Sequence, residues 1–473
     1  MNSNDLISKE KNNKHTPSAP TADSRPIVVL AAGGKGTRIR SLNSDVPKPM
    51  IPIAGKPILQ WEIECLVKQG YTDIIITVSH LADSIIDYFG DGSEYGARIQ
   101  YFNEETPLGN AGALFKLWRQ GRLTETFLFL IADAIFDVDF DRFLDYHKSR
   151  HALATLFWHG NTHPQDSSLL LLGGDGRVEQ WLNKEDERPE FYKNSVNAGL
   201  QILTLALLED SGIDPETVGV DKRVDLDRDI LKPLVSTGRI YGYHSTEYCR
   251  DAGTPERFHA VEADLTSGLV HSRNFSLPQK AIFLDRDGTI NKYIGFLRST
   301  DEFELIDGVS AALRLINSSS YLAVICTNQP VIARGEVTYE QLGLIHAKME
   351  TLLGASGAYI DGCYFCPHHT SKGHPGEIPE LKFDCACRKP KPGMLLQAAK
   401  DFNINLADSW MIGDGLRDIE CGRNAGTKTI LLTGPDTEFD HNEKKKESNG
   451  KAEELSDYTA KNLLEAVKII LGH

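Results

Sequence analysis

The apolar positions of this chain fall into short runs. Residues 27–32, 74–78 and 127–132 form them in the first half, and 281–284, 321–326 and 410–412 in the second. Runs of this length that stay apolar on consecutive positions read as strands buried on both faces. Segments of helical periodicity separate them, so strand and helix alternate in each half, the pattern of two mostly parallel sheets in the α/β class. The run 74–78 is core and carries no chemistry. Near the end, Leu463, Leu464, Val467 and Ile470 fall at helical spacing and predict an amphipathic helix from about 459 to 471, packed back on the second half.

The carboxyl ends of these runs carry the polar residues. Run 27–32 meets Gly33-Gly34-Lys35-Gly36-Thr37-Arg38, and run 127–132 delivers Asp133. In the second half the endings are Asp285-Arg286-Asp287-Gly288-Thr289, Thr327-Asn328-Gln329 and Gly413-Asp414-Gly415. Open α/β sheets bind their ligands at that edge. Each ending has a bland alternative: a solvated acidic turn, a strand cap, an ordinary surface lysine.

The length of 473 residues suits two or three domains at roughly 100–200 residues each. Leu265-Thr266-Ser267-Gly268 and Ser276-Leu277-Pro278 read as linker, giving domains 25–264 and 280–473 joined by 265–279. Residues 1–24, rich in Asn, Ser and Lys, read as a disordered tail and not as a signal peptide. A solvated stretch spans 438–454. A net charge of −15 argues against a nucleic-acid partner, so anionic small molecules have to be met by local Arg and Lys. No 18-residue apolar run is present to span a membrane. Eight cysteines beside histidines fit a reducing cytoplasm better than a disulfide framework. His80, His147 and His259 read as surface or turn residues, and a homo-oligomer is left open.

In the second half, Asp285-x-Asp287, Thr327-Asn328-Gln329, Cys387-Arg388-Lys389-Pro390-x-Pro392-Gly393-Met394 and Gly413-Asp414 supply what phosphoryl transfer through an aspartyl-phosphate needs: a nucleophile, a hydroxyl donor, a lysine and a metal-binding carboxylate. These segments, from about 279 to 433, resemble the haloacid dehalogenase (HAD) superfamily, in its branch of heptose bisphosphate and histidinol-phosphate phosphatases. The resemblance implies that Asp285 attacks phosphorus and binds Mg²⁺. Asp287 shares the metal site, protonates the leaving oxygen and then activates water; Thr327 and Lys389 hold the phosphoryl oxygens. Asp414 completes the Mg²⁺ site, and Asn328 and Arg388 recognise substrate. Pro330-Val331 departs from the Ser-Gly pair usual there and removes a backbone donor. Five cysteines fall between Cys326 and Cys387 with histidines close by, a set that fits tetrahedral Zn²⁺. The family pattern selects Cys366, His368, Cys385 and Cys387, with Cys363, His369 and His374 as substitutes.

In the first half, the Gly33–Arg38 loop is followed by Val46-Pro47-Lys48-Pro49-Met50, Pro107-Leu108-Gly109-Asn110, Asn197-Ala198-Gly199 and Asp251-Ala252-Gly253-Thr254-Pro255. Together they resemble the sugar-phosphate nucleotidyltransferases, a Rossmann-like, glycosyltransferase-A-like family. The resemblance implies Mg²⁺ held by Asp133 and Asp251, and phosphates met by Gly33, Gly34, Arg38 and Lys48. The base would sit at Gly109 and the sugar at Asn197 and Gly199, with Lys184 a degraded sugar-phosphate contact. The two resemblances imply consecutive reactions: removal of the 7-phosphate of heptose 1,7-bisphosphate, then GTP-dependent guanylylation of an α-configured heptose 1-phosphate. Rival readings are a histidinol-phosphate-type phosphatase fused to a transferase of other base specificity, or one half acting as a nucleotide-sugar sensor.

Overall fold

The computed structural model describes residues 25–33, 46–79, 81–438 and 446–472. The expected tail, Gly34 to Arg38, and His80 lie outside them.

The first half is built on β1 (Val28–Ala31), a β2–β3 ribbon (Pro52–Ile53, Lys56–Pro57), β4 (Asp73–Val78), β5 (Arg98–Asn103), β6 (Thr126–Ile131), β7 (Ala134–Asp137), β8 (Ala154–His159), β9 (Leu169–Leu172), β10 (Val178–Leu182), β11 (Val196–Thr204), β12 (Ile240–His244) and β13 (Tyr248–Asp251). Nine of them form one sheet in the order β10-β9-β11-β6-β1-β4-β5, with β8 and β12 continuing from β11. β6, β1, β4 and β5 are parallel, and β11 runs antiparallel to β6. β7 and β13 make a separate ribbon. The alternation of side chains explains the apolar runs. Val28 and Leu30 face one core, with Leu59 and Ile63 of the helix Ile58–Lys68, while Val29 faces another, with Leu114 and Leu117.

The second half is an all-parallel sheet of β14 (Lys280–Leu284), β15 (Tyr321–Asn328), β16 (Gly362–Cys366), β17 (Trp410–Gly413), β18 (Lys428–Leu432) and β19 (Tyr458–Ala460). Its order is β16-β15-β14-β17-β18-β19. Ile282 and Leu284 pack with Leu313 and Ile316 on one face; Ala281 and Phe283 pack with Leu395 and Ala398 on the other. Both halves are thus α/β, as their patterns predict.

Three local readings are corrected. The final helix is Leu463–Leu471, because 458–460 add an edge strand to the sheet. The stretch read as solvated contains the helix Lys446–Leu455, anchored by buried Ala452 against Ile419 and Leu431. Residues 265–279, read as a flexible linker, form the end of the helix Pro255–Thr266 and a short helix Leu269–Ser272. They bury Val270, Arg273, Phe275 and Gln279. Ser, Gly and Pro in this stretch make tight turns between buried anchors, and composition alone does not separate such turns from a loose tether.

This connector and its surroundings hold the halves together. Arg273 Nη2 donates to the carbonyls of Ser319 (2.9 Å) and Tyr321 (2.8 Å), and Nη1 lies 3.7 Å from Asp361 Oδ1. Both side chains are almost fully buried. Burial pushes the Asp361 carboxyl up, and Arg273 pulls it back. Beyond the connector, Asn194 N donates to Glu350 Oε2 (2.8 Å) and Tyr192 N to Thr351 Oγ1 (2.8 Å). Removing one partner of a buried ion pair costs about 3–5 kcal/mol. Arg273→Ala is therefore expected to lower stability by that order in urea unfolding; a loss under about 1 kcal/mol would contradict the anchoring role.

Candidate active sites

The second-half site forms where β14, β15 and β17 end, around a cavity of about 250 Å³. β14 stops on Asp285, whose Oδ1 lies 2.8 Å from Lys389 Nζ. Lys389 lies 2.6 Å from Asp418 as well. One oxygen each of Asp285, Asp414 and Asp418 falls within 4.8 Å of the others, and all three residues are buried. Such crowding has an electrostatic signature. Burial, countered by Lys389 and reinforced by Asp418, pushes Asp285 up to about 6, and burial with Asp285 and Asp418 pushes Asp414 well up. Burial opposes the charge of Lys389, but the two carboxylates outweigh it and hold the ammonium above the ordinary lysine range. Three buried carboxylates against one ammonium leave room for a divalent cation of the hard, oxygen-seeking kind. Gly288, at φ 82, is required there, since a Cβ would collide with Asp414 Oδ2.

Asp287 lines the same cavity, but its carboxylate is held by other partners. Arg286 Nη2 donates to both its oxygens (2.8 and 2.9 Å), and Gln329 and Asn291 donate at 2.9 and 3.1 Å. Burial raises its pKa, yet Arg286 and these bonds outweigh that and hold it below the usual carboxylate range. Its carboxylate is therefore not a member of the acidic triad, a correction to its expected place among the metal ligands. An ionised Asp287 suits activation of water; donating a proton requires that it first be protonated. Asp418 takes the third position. Its Oδ2 accepts from Gly415 N (3.1 Å), capping the helix Leu416–Ala425, so the turn after Asp414 folds a second carboxylate back over the strand end. The spacing Asp414-x-x-x-Asp418 was visible, but only the fold shows that the two converge.

Thr327 is buried at the end of β15, where Gln329 Nε2 donates to its Oγ1 (2.9 Å). Asn328 clamps the lysine turn: Lys389 N donates to Asn328 Oδ1 (3.0 Å) and Asn328 Nδ2 to Lys389 O (3.1 Å). Val331 of the departing Pro330-Val331 pair is buried with Ile332, Val337 and Leu342, which gives that change a packing role.

Below this site, Cys366, His368, Cys385 and Cys387 converge within 4.8 Å. Cys366 Sγ is 3.5 Å from Cys385 Sγ, and His368 Nδ1 is 3.3 Å from Cys387 Sγ. Three thiols and an imidazole so close suit a soft, tetrahedral cation. Cys363 lies elsewhere, with its Sγ 3.8 Å from His346 Nδ1, and His369 Nδ1 accepts from Ser371 N (3.0 Å). Arg388 Nη1 donates to His368 O (3.1 Å), tying the cluster to an arginine that lines the cavity.

In the first half, Lys48 Nζ meets Asp133 Oδ2 at 2.7 Å. Thr254 caps the helix Pro255–Thr266, with proline in its first turn, and this start returns Arg257 to Asp251 at 3.1 Å. Burial raises Asp251, but Arg257 and Lys48 outweigh it and hold it down. Asp133, Asp251, Asn197, Gly199 and Lys184 all line one cavity of about 390 Å³. Gly109 does not. At φ 87 it packs on the backbone of Val224, and Asn110 beside it reaches the cavity wall and accepts from Leu226 N (2.7 Å). Gly33 accepts from Ser79 Oγ (3.0 Å) at the edge of the described residues; Gly34 and Arg38 lie beyond it.

Both halves have counterparts among known proteins. A nucleotidyl transferase family model matches residues 27–268, and a HAD-hydrolase-like model matches 386–466. The D-glycero-β-D-manno-heptose-1,7-bisphosphate 7-phosphatase of Pasteurella multocida is 44% identical over 183 residues, 38% of this chain and 94% of that protein. The enzyme of the same name from Yersinia pestis is 44% identical over 156 residues, covering 33% of this chain and 81% of its own length. Among solved structures, HddC from Yersinia pseudotuberculosis is similar at 26% identity with a TM-score of 0.43, over 51% of this chain and 100% of that one. Fold and sites together define a two-domain enzyme, a nucleotidyltransferase joined to a phosphatase. The chain belongs to the nucleotidyl transferase family through its first half and to the HAD-like phosphatase family through its second.

Gly288→Ala is expected to displace Asp414 and cut phosphate release by about 100-fold or more, as misplacement near 1 Å does. Retention of more than about half the wild-type rate in a phosphate assay would show that Asp414 tolerates the shift.

Proposed function

We propose that the Asp285 site hydrolyses the 7-phosphate of D-glycero-D-manno-heptose 1,7-bisphosphate. The Asp133–Asp251 site then transfers GMP from GTP to the heptose 1-phosphate and releases pyrophosphate. The observation that carries this reading is the joining of the two sites. The curated relatives of the second half are named for releasing the 7-phosphate of a heptose bisphosphate. What remains is a sugar 1-phosphate, the class of acceptor a sugar nucleotidyltransferase consumes.

At the first site, an Asp285 oxygen attacks phosphorus while the bond to the sugar oxygen breaks. Lys389 Nζ and Thr327 Oγ1 face the phosphoryl oxygens and offset their charge. Asp287, once it has taken up a proton from solvent, delivers it to the departing oxygen and then takes one from the water that cleaves the aspartyl-phosphate. Asp285, Asp414 and Asp418 would hold Mg²⁺, which when bound lowers the repulsion between carboxylate and phosphate. At the second site, an acceptor phosphate oxygen attacks the α-phosphorus as its bond to pyrophosphate breaks, so no covalent enzyme intermediate forms. Lys48 neutralises phosphate charge, Asp133 and Asp251 would hold Mg²⁺, and Arg38 is assigned the pyrophosphate by resemblance. The cysteine cluster is assigned a structural Zn²⁺ that positions Arg388-Lys389. Eight free cysteines support a cytoplasmic setting, and among the described residues no helix is long and apolar enough to cross a membrane. The choice of guanine rests on the reaction sequence, since the adenylyl branch of heptose activation uses a differently folded transferase. The acceptor is expected in the α-configuration, whereas the relatives' names specify the β-anomer, so both anomers belong in the assay.

Asp285→Asn is expected to lower phosphate release by on the order of 10³-fold or more while sparing transfer, and Asp133→Ala to do the reverse; near wild-type turnover in either would remove that residue from its role. With GTP, UTP, dTTP and ATP compared, GTP is expected to give the highest kcat/KM. Equal turnover with UTP would overturn the guanylyl assignment alone. Elemental analysis is expected to find one zinc per chain, and Cys366→Ser/Cys385→Ser to lose it with lowered phosphatase stability. Full zinc occupancy in that variant would place the ligands elsewhere.

A further inference from the structure

The cavity of the transferase site does not close within the transferase domain. Its wall of Asp133, Asp251 and Asn197 continues onto Asn317, Tyr359 and Asp361, which belong to the phosphatase domain. We propose that the phosphatase domain completes the sugar-acceptor pocket of the transferase, with Tyr359 as a specificity-determining residue that touches the acceptor. The inference rests on the transferase reading above.

Three observations support it. First, Tyr359 is held rigidly. Its N–H donates to Asn317 Oδ1 (3.1 Å) and its carbonyl accepts from Asn317 Nδ2 (3.1 Å), so one side chain fixes its backbone on both sides. Gly160 of the transferase domain lets this segment approach, because a Cβ there would stand 3.0 Å from the carbonyl oxygen of Ile360. Second, its phenol faces a built polar wall. Arg250 Nη2 lies 3.5 Å from the Tyr359 hydroxyl, while Nη1 pairs with Asp264 at 2.9 Å and the guanidinium lies over the Tyr248 ring. The long Arg250 contact engages only the oxygen and leaves the hydroxyl proton to donate. Third, the lining of the same cavity carries uncharged polar side chains from both domains, Asn197, Gln201 and Thr246 of the transferase and Asn317 of the phosphatase. A wall of this kind suits a ligand rich in hydroxyls.

The position of the two sites on the phosphatase sheet narrows the role. Asp361 accepts from Ala323 N near the start of β15, whereas Thr327 lies four residues further along that strand. At about 3.3 Å per residue the segments are roughly 13 Å apart. The phosphatase chemistry thus faces the opposite end of its sheet from the transferase cavity. What the fusion supplies at this cavity is a wall.

The test is steady-state kinetics of the full chain with both transferase substrates varied. Tyr359→Phe keeps the ring and removes only the hydroxyl. It is expected to raise the KM for the sugar 1-phosphate about three- to tenfold, the range of one hydrogen bond. The nucleotide KM, the phosphatase rate and Tm are expected to stay as in the wild type, and Tyr359→Ala to raise the acceptor KM further. An unchanged acceptor KM in both variants would overturn the proposal, as would parallel losses in nucleotide KM and Tm. The wild type is first run against a panel of hexose and heptose 1-phosphates. Rejection of heptose alone refutes the substrate assignment, and Tyr359 is then judged with whichever sugar 1-phosphate is turned over or, by calorimetry, bound. A chain that binds none overturns both.

Discussion

Buried carboxylates repel one another unless positive charge is built in beside them, and that compensation organises both halves of this enzyme. Lys389 stands between Asp285 and Asp418, at 2.8 and 2.6 Å, with Asp414 completing the acidic group. One ammonium does not neutralise three carboxylates, and burial, reinforced by that deficit, raises the pKa values of Asp285 and Asp414. The site is therefore poised for a divalent cation and an anionic substrate held by the same lysine. The transferase site solves a milder version of this problem, with Lys48 on Asp133 and Arg257 on Asp251. In each case a parallel strand stops where the chain must turn, and the turn delivers the charge. Gly288 and the Asp418 cap exist to let those turns close around Asp414.

A second constraint is the way the halves are joined. A flexible tether would let each domain act alone. Here the connector is pinned by a short helix and buried anchors, Arg273 reaches the start of β15, and the helix Tyr339–Ala355 holds transferase loops through Glu350 and Thr351. The domains share a cavity wall as a result. That arrangement makes the acceptor pocket a property of the whole chain.

Much of this was legible in the sequence. The apolar runs gave β1, β4 and β6 of the first sheet and β14, β15 and β17 of the second, and the polar residues at their ends gave Asp133, Asp285, Thr327 and Asp414. The cysteine and histidine spacing gave a pool of candidate metal ligands, and the family resemblance picked from it Cys366, His368, Cys385 and Cys387, which converge. Other features were not legible, for physical reasons. Asp418 reads as a helix-start acid, and only the tertiary turn shows it facing Lys389. Asp287 sits two residues from the nucleophile, yet the direction of its side chain is decided by Arg286 and Gln329, one neighbour and one residue far along the chain. Gly109 stands in a substrate motif but meets the backbone of Val224 instead. The 265–279 connector combines turn-forming residues with single buried anchors, and a window average sees only the former. Tyr359 belongs to no motif, since its meaning comes from a domain on the other side of an interface.

The most direct measurement of the central claim is a single incubation of the full chain with heptose 1,7-bisphosphate, GTP and Mg²⁺, followed by mass spectrometry over time. Consecutive activities on one chain are expected to give inorganic phosphate first, a transient heptose monophosphate retaining the 1-phosphate, and then GDP-heptose with one pyrophosphate per sugar. Release of phosphate with the heptose 1-phosphate left unconsumed, whichever nucleoside triphosphate and anomer is supplied, would contradict it.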